Sequence, residues 1–304
     1  MALTAPYQED QFCLTELPLY LHHCLAFALI CHWKLLMNAV FTTLLCEEIN
    51  QVLWVRLNRP DKHNAMTMAM IRELIAVANT IKAQRHLRAV VLQGAGPSFC
   101  SGMDLPGLFK NTRDKLYAFS QLVRPARGIF QKVNLIWRQL PVPVIALVHG
   151  HCFGAGMQLA LGADWIIADA AADFSLMESK WGMIPDMGAT LTLRGRVPPD
   201  LAKELMCTAR VLKADTAWEL GLISHVETDP QAAVQLLLAE LAQRSPDAVA
   251  AAKRLVEDSW WSGRWRSLTA ERFWQLRLLL GQNHRIAVER NRKKQDLPFR
   301  PRTI

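Results

Sequence analysis

Short apolar segments alternate with amphipathic ones along the chain from residue 51 onward. Apolar or alternating runs predict strands at residues 51–57, 87–92, 142–148, 164–168 and 223–227. Apolar residues at helical spacing predict a helix over residues 68–83, with Thr67 as its N-terminal cap. Buried strands separated by helices favour parallel pairing, with both faces of the sheet covered. The pattern alone therefore predicts an α/β fold.

Helical spacing also predicts the structure of two further regions. Residues 104–140 form a mostly helical insertion between two strands, and its apolar stripe comprises Leu122, Ile129, Val133, Ile136 and Trp137. After residue 198 the chain is predicted to be nearly all helix, at 198–208, 214–220, 230–244, 246–258 and 268–290. We interpret the aromatic cluster in this region as packing between helices or as a subunit contact. Its members are Trp260, Trp261, Trp265, Phe273 and Trp274.

The first residues of the chain differ from the remainder. Residues 17–46 are strongly apolar, but their longest clean apolar run is far shorter than the ~20 residues of a membrane span. Acidic residues near the start argue against a signal peptide. We expect residues 1–36 to be a disordered or mis-assigned extension, residues 37–197 the core, and residues 198–304 a helical oligomerisation region. The protein is predicted to be cytoplasmic, with no membrane partner.

Composition excludes several classes of protein. Hydrophobic residues make up 51% and charged residues 20%, which excludes a disordered chain. The seven cysteines are scattered without zinc-ligand spacing, so we expect a reducing compartment and no metal site. The net charge of +8 suits an anionic ligand. Residues 285–304 hold seven basic and two acidic side chains, but Phe299 is the single aromatic residue among them and no series of stacking aromatics interleaves with the cations, so we expect no nucleic-acid partner.

Two glycine-marked turns follow predicted strands. The segment SFCSGMDL occupies residues 98–105, and VHGHCFGAGM occupies residues 148–157. Glycine lets a ligand approach the backbone closely, and the first N–H groups of a new helix have no partner and attract negative charge. Neither segment has the spacing of a phosphate-binding or dinucleotide-binding loop.

A third segment, FSLMESKWGMIPDMG at residues 174–188, places two carboxylates among apolar side chains. Burial of Glu178 and Asp186 would raise the pKa of each carboxyl group, which suits proton transfer near neutral pH. The alternative is structural: Glu178 pairs with Lys180, and Asp186 caps the following helix.

Together with LNRPDKHNAM at residues 57–66 and VPVIALVHGHCFGAGMQLALGAD at residues 142–164, these segments resemble the crotonase (enoyl-CoA hydratase/isomerase) family. The resemblance runs from Val52 to Val226. It implies a crotonase-like spiral of β-β-α units with a C-terminal helical region used in trimer contacts. It also implies an acyl-CoA substrate, no cofactor beyond that coenzyme A thioester, and a homotrimer or a dimer of trimers.

The resemblance assigns roles to individual positions. The backbone N–H groups of Met103 and Ala155 match an oxyanion hole for the thioester oxygen. Glu178 matches the second of two glutamates that hydratases use, and Gln158 stands where the first would be. A neutral amide can hold a water but cannot exchange a proton at ordinary pH, which disfavours the two-glutamate route. Asp186 matches an aspartate of the dienoyl-CoA isomerases, although their further aspartate also falls on Gln158.

We therefore expect an enzyme that shifts a double bond in an unsaturated acyl-CoA, with Glu178 and Asp186 dividing the roles of base and acid. Two alternatives stay open. One is an enoyl-CoA hydratase that uses Glu178 alone, with Gln158 positioning water. The other is a non-catalytic acyl-CoA-binding homologue.

The resemblance also nominates residues for substrate binding. The coenzyme A moiety is expected near Lys62, His63, Asp104 and Leu105, with Gln158 also a substrate-binding candidate. Lys293 or Lys294 of the basic tail is a further candidate for a phosphate contact.

Overall fold

Within residues 41–125 and 128–304, which a computed structural model describes, the strands form a large and a small sheet. The predicted extension at residues 1–36 lies outside the described residues. The strands, numbered in chain order, are β1 (Leu44–Ile49), β2 (Val52–Leu57), β3 (Ala89–Gly94), β4 (Val144–Val148), β5 (His151–Phe153), β6 (Trp165–Asp169), β7 (Asp173–Ser175), β8 (Leu212–Lys213) and β9 (His225–Glu227).

The α-helices are numbered in the same way. They are α1 (Met68–Ile81), α2 (Leu105–Lys110), α3 (Thr112–Leu122), α4 (Ile129–Leu135), α5 (Ala155–Leu161), α6 (Ala189–Thr192), α7 (Pro199–Thr208), α8 (Ala214–Glu219), α9 (Pro230–Ala242), α10 (Pro246–Ser259), α11 (Arg264–Leu279) and α12 (Gln282–Lys293).

The large sheet has the strand order β1-β2-β3-β4-β6-β9, and the small sheet has the order β5-β7-β8. All pairs are parallel except β1 with β2 and β7 with β8. The predicted strands correspond to β2, β3, β4, β6 and β9. The pattern missed β5, β7 and β8 because each spans only two or three residues. It missed β1 because this edge strand fully buries only Leu44 and continues the apolar stretch of residues 17–46.

Successive units of two strands and a helix build this architecture. Strand β4 enters the large sheet, β5 enters the small one, and α5 follows; β6 and β7 then repeat the same placement. The predicted spiral of β-β-α units is therefore confirmed. Because the placement repeats, the turns that connect the two sheets lie at the same end of the large sheet. The loops in these turns are therefore close to one another.

Both faces of the large sheet are buried, as expected for parallel strands. One face packs against α9 through a cluster comprising Val52, Trp54, Ala89, Val91, Ile145, Leu147, Ile167, Val234 and Leu238. On the other face Leu53, Val55 and Val90 are fully buried. Each such aliphatic side chain stabilises the fold by about 1.5–3 kcal/mol through removal from water. The sheet is thus a rigid base for the loops at its end.

The insertion is helical, as predicted, and comprises α2, α3 and α4. Val133, Ile136 and Trp137 of its predicted stripe are buried, but Leu122 is 60% exposed. The prediction for Leu122 was wrong because α3 projects its apolar residues outward rather than onto the sheet.

The predicted single helix over residues 268–290 is also wrong. It divides at Gly281 into α11 and α12, because glycine is a weak helix former and serves as the N-terminal cap of α12. The aromatic cluster does not form an internal core: Trp260, Trp261, Trp265 and Phe273 are exposed, and α11 buries no residue. Its role as a subunit contact stays a prediction.

The basic tail is largely engaged within the chain. Arg302 is 3% exposed and donates to the Gln84 carbonyl at 2.8 Å. The Asp247 carboxylate accepts from the backbone N–H of Thr303 at 2.6 Å, and Lys293 pairs with Glu289. No helix in the described ranges is both long and apolar enough to cross a membrane.

Candidate active site

Two loops that are distant in sequence lie side by side at the end of the sheet. The Cys100 N–H donates to the His151 carbonyl, and the Phe153 N–H donates to the Cys100 carbonyl, both at 2.9 Å. This parallel bridge aligns the first glycine turn with β5. A Cβ on Gly102, whose φ is +111°, would lie 3.3 Å from the Phe153 carbonyl oxygen. Only glycine allows so close an approach at that φ.

The two backbone N–H groups that the resemblance nominated donate to no acceptor among the described residues. The Met66 N–H donates to Gly102 at 2.7 Å, and the Met66 carbonyl accepts from Asp104 at 3.0 Å. Since peptide groups alternate in direction along an extended chain, the Met103 N–H faces away from Met66. Ala155 is the first residue of α5, so its N–H has no acceptor inside the helix. In the described part of the chain, neither group donates to a protein acceptor.

Glu178 lies beside these loops. It opens a short 3-10 turn, Glu178–Trp181, just after β7, and the Gly154 N–H donates to the Ser175 carbonyl of that strand at 2.9 Å. A Cβ on Gly154 would lie 3.5 Å from Glu178 Oε1 and 3.8 Å from the Gly102 Cα. The carboxylate and both nominated loops therefore meet at Gly154.

Gln158 connects Glu178 with the loop that carries Asp186. Its side chain is 1% exposed and lies on α5, one turn after Ala155. Gln158 Nε2 donates to Glu178 Oε1 at 2.7 Å, and Gln158 Oε1 accepts from the Met187 N–H at 2.9 Å. Sequence reasoning missed this bridge, because the residues lie 20 and 29 positions from Gln158.

The electrostatics of the two carboxyl groups fit proton transfer. Burial raises the pKa of Glu178, the charge of Asp186 raises it further, and the hydrogen bond from Gln158 lowers it in part. Burial also raises the pKa of Asp186. The second Glu178 oxygen, Oε2, is buried and accepts no hydrogen bond within the described residues.

The structural alternative for these carboxylates is wrong. Glu178 bonds to Gln158 rather than to Lys180. The helix after Asp186, α6, begins at Gly188 as its N-terminal cap and has no side-chain cap. Both carboxyl groups thus remain available for chemistry.

The nominated coenzyme A residues fall into two groups. Asp104 forms an ion pair with Arg59 at 3.0 Å and accepts from the Gly107 N–H at 3.0 Å, which caps α2. Lys62 and His63 are exposed, and His63 Nδ1 lies 3.0 Å from Ser98 Oγ. Leu105 is half-buried at the start of α2.

Asn64 is a structural residue that sequence reasoning did not single out. It is fully buried, its Nδ2 donates to the carbonyls of Ala95 and Ser98 at 2.8 Å, and its Oδ1 accepts from the Arg59 N–H at 2.8 Å. Its φ of +54° is one that asparagine tolerates better than most residues. Asn64, in the segment LNRPDKHNAM at residues 57–66, therefore anchors the loop that carries Lys62 and His63.

Comparison with known proteins identifies the family to which this chain belongs. The enoyl-CoA hydratase/isomerase family model matches residues 47–276. The chain is 35% identical over 210 residues to a mitochondrial Delta(3,5)-Delta(2,4)-dienoyl-CoA isomerase of Mus musculus, a match that covers 66% of this chain and 64% of that protein. It is 32% identical over 222 residues to the enoyl-CoA hydratase EchA19 of Mycobacterium tuberculosis, covering 71% of this chain and 80% of that one.

Solved structures agree with this result. An enoyl-CoA hydratase from Bacillus anthracis has a TM-score of 0.78 at 25% identity, covering 85% of this chain and 99% of that one. An enoyl-CoA hydratase structure from Thermobifida fusca in complex with acetoacetyl-CoA has a TM-score of 0.71 at 30% identity, covering 80% of this chain and 96% of that one. The chain therefore belongs to the enoyl-CoA hydratase/isomerase family and has the crotonase fold.

Proposed function

We propose that the protein is a double-bond isomerase acting on an unsaturated acyl-CoA. The Met103 and Ala155 N–H groups would bind the thioester oxygen as an oxyanion hole. One carboxylate removes a proton from the carbon chain, the electron pair moves through the conjugated system to that oxygen, and the resulting enolate is stabilised by the two donors. One such donor typically contributes about 3–4 kcal/mol to the transition state.

The second carboxyl group then returns a proton at another carbon, and the double bonds have moved. One proton leaves and one arrives, so the proposed reaction consumes no redox cofactor. Glu178 and Asp186 fit these two roles because both are partly withdrawn from water and both have a raised pKa. The similarity to a dienoyl-CoA isomerase supports the same reaction class.

The observation that carries the proposal is the state of Gln158. Its amide oxygen is occupied by the Met187 N–H, and its nitrogen is occupied by Glu178. A hydratase that used Glu178 alone would need Gln158 to hold the attacking water, and with these two bonds in place only one amide N–H and one lone pair of Gln158 are left for it. The arrangement thus favours proton shuttling between Glu178 and Asp186 over hydration.

Replacement of each carboxyl group tests the proposal. In Asp186→Asn and in Glu178→Gln we expect kcat for isomerisation to fall by roughly 10²–10⁴-fold, because a positioned acid or base contributes about that much. Acyl-CoA affinity should stay within about threefold, since neither change touches the proposed oxyanion donors. The measurement is product analysis on a panel of dienoyl-CoA and enoyl-CoA thioesters, with affinity determined by calorimetry.

Hydration is measured in the same panel through the loss of conjugated absorbance of crotonyl-CoA. Unchanged isomerisation in Asp186→Asn, or hydration as the main activity of the wild type, would overturn the proposal. Tight binding without any turnover would instead favour the non-catalytic homologue.

The exposed aromatic side chains of α11 support the predicted trimer, since large apolar surfaces of this kind mark protein contacts. Assembly as a homotrimer or a dimer of trimers, and the cytoplasmic location, stay predictions.

A further inference from the structure

The orientation of the Gln158 amide is set by its neighbours. The Met187 N–H can only donate, so it must face the amide oxygen of Gln158, and the 2.9 Å contact has that arrangement. The Met187 carbonyl accepts from Asn134 Nδ2 at 2.9 Å, so this peptide unit is held on both sides. A flipped Gln158 would set two donors against each other at Met187 and two acceptors against each other at Glu178.

This orientation has a consequence for Glu178. Because Gln158 presents an N–H to Oε1, that oxygen acts as an acceptor, and a proton there would oppose the donor. Oε2 is buried beside it and has no hydrogen-bond partner within the described residues. An unpartnered buried oxygen is costly unless a ligand or a proton satisfies it.

We propose that Gln158 is a positioning residue that confines the exchangeable proton of Glu178 to Oε2. The inference rests on the proposed function in one respect, namely that Glu178 exchanges a proton with the substrate. Gln158 would orient Glu178 so that its single proton-carrying oxygen faces the reacting carbons. Through Met187, the same amide holds the backbone next to Asp186, so it sets the separation of the two carboxyl groups.

Two substitutions at this position give different expected pH profiles. In Gln158→Met the new side chain has a similar length but no N–H group, so Glu178 loses its hydrogen-bond donor. We expect kcat to fall by roughly 10-fold or more at every pH, while KM stays within about threefold of the wild-type value. Gln158→Glu can replace the amide only while the introduced carboxyl group is protonated. Its C=O then accepts from Met187, and its O–H donates to Glu178.

As the pH rises, the introduced group ionises and two carboxylates face each other. Isomerisation by Gln158→Glu should therefore approach that of the wild type at the acid end of the profile and fall by at least ~10-fold toward the alkaline end. A purely structural role for Gln158 predicts profiles of wild-type shape, lowered uniformly. That result in Gln158→Glu would overturn the inference.

A second measurement does not depend on turnover. Carbon-13 NMR of protein with labelled glutamate side chains, with the Glu178 signal assigned from Glu178→Gln, reports the pKa of that carboxyl group directly. Loss of the donor in Gln158→Met should raise this pKa by about one to two pH units. An unchanged value would overturn the inference whatever the activity. If isomerisation survives Glu178→Gln, the proposed function fails while this titration still tests the Gln158 contact.

Gln93→Met is the matched control. Gln93 is also buried, but its amide faces Arg56 on the neighbouring strand β2. Its replacement should leave the Glu178 pKa and the shape of the pH profile unchanged. A shift of equal size in Gln93→Met would show that general loosening of the fold, and not the Gln158 contact, moves the titration, and it would overturn the inference.

Discussion

Two polar regions at the end of the large sheet differ in how their polar groups are used. In the carboxylate pocket, formed by Gln158, Glu178, Asp186 and Met187, one oxygen of Glu178 has no hydrogen-bond partner among the residues that the structure describes. In the Asn58–Met66 loop, each polar atom of the buried Asn64 side chain is bonded. The buried Glu178 carboxylate of the first region therefore lowers the stability of the fold, and the hydrogen bonds of Asn64 in the second region raise it.

The contrast distinguishes residues that are available for catalysis from residues that stabilise the fold, although both kinds lie in similar sequence motifs. Asp104 and Asp186 each lie within two or four residues of a glycine, but Asp104 is paired with Arg59, while Asp186 is half-buried and burial raises its pKa. Natural active sites commonly lower the stability of the fold. Substitutions in the two regions should therefore change stability in opposite directions.

The largest effect is expected in the loop, from Asn64→Leu. It removes the partner of the buried Ser98 carbonyl and of two half-buried groups, the Ala95 carbonyl and the Arg59 N–H. A buried group without a partner costs about 1–3 kcal/mol, so the free energy of unfolding should fall by roughly 3 kcal/mol. Urea unfolding followed by circular dichroism measures it. Asn50→Leu is the control, since Asn50 also has a positive φ but is exposed in the β1–β2 turn. Equal losses in the two variants would show that backbone strain, not hydrogen bonding, explains the effect.

A smaller effect of opposite sign is expected in the pocket. The pKa of Glu178 is raised in the folded state above its ordinary value of 4.5, so the folded chain binds this proton more tightly than the unfolded chain. The wild type therefore loses stability as the pH rises above 4.5, and Glu178→Gln does not lose this part. At pH 7–8 the Tm of the variant should exceed that of the wild type by roughly 2–4 °C.

This advantage should shrink as the pH falls toward 4.5, and calorimetry over that range measures it. Glu47→Gln, at an exposed position of β1, should show no comparable gain. A Glu178→Gln variant that is less stable than the wild type at pH 8 would contradict the view that the pocket stores a destabilising charge.

The smallest effect concerns the exposed part of the loop. Lys62 is exposed, so its contribution to an anionic ligand is screened by water and salt. In Lys62→Ala we expect KM for the acyl-CoA to rise about two- to fivefold, with kcat and Tm unchanged and the effect reduced at high salt. Lys82→Ala removes another exposed lysine, at the end of α1, and should leave KM unchanged. An equal KM in wild type and Lys62→Ala would remove Lys62 from the candidate coenzyme A contacts.

Several features of the fold could be predicted from the sequence because they depend on local pattern. The central strands, α1 with its Thr67 cap and the helical insertion follow from hydrophobic spacing. The short strands β5, β7 and β8 could not be predicted, since two or three residues carry no period and pair only through partners from elsewhere in the chain. The break at Gly281 was overlooked because the apolar spacing continues across it.

The sequence by itself determined the strands β2, β3, β4, β6 and β9, the helix α1, the helical insertion and the family. It also placed two carboxylates, Glu178 and Asp186, in an apolar segment. Only the tertiary structure decided that the Met103 and Ala155 N–H groups donate to no acceptor within residues 41–125 and 128–304, that Asp104 pairs with Arg59, and that Gln158 joins Glu178 to Met187. The physical reason is that hydrophobic periodicity is a local property of the chain. The partner of a buried polar atom, in contrast, depends on which distant segments packing brings within about 3 Å of it.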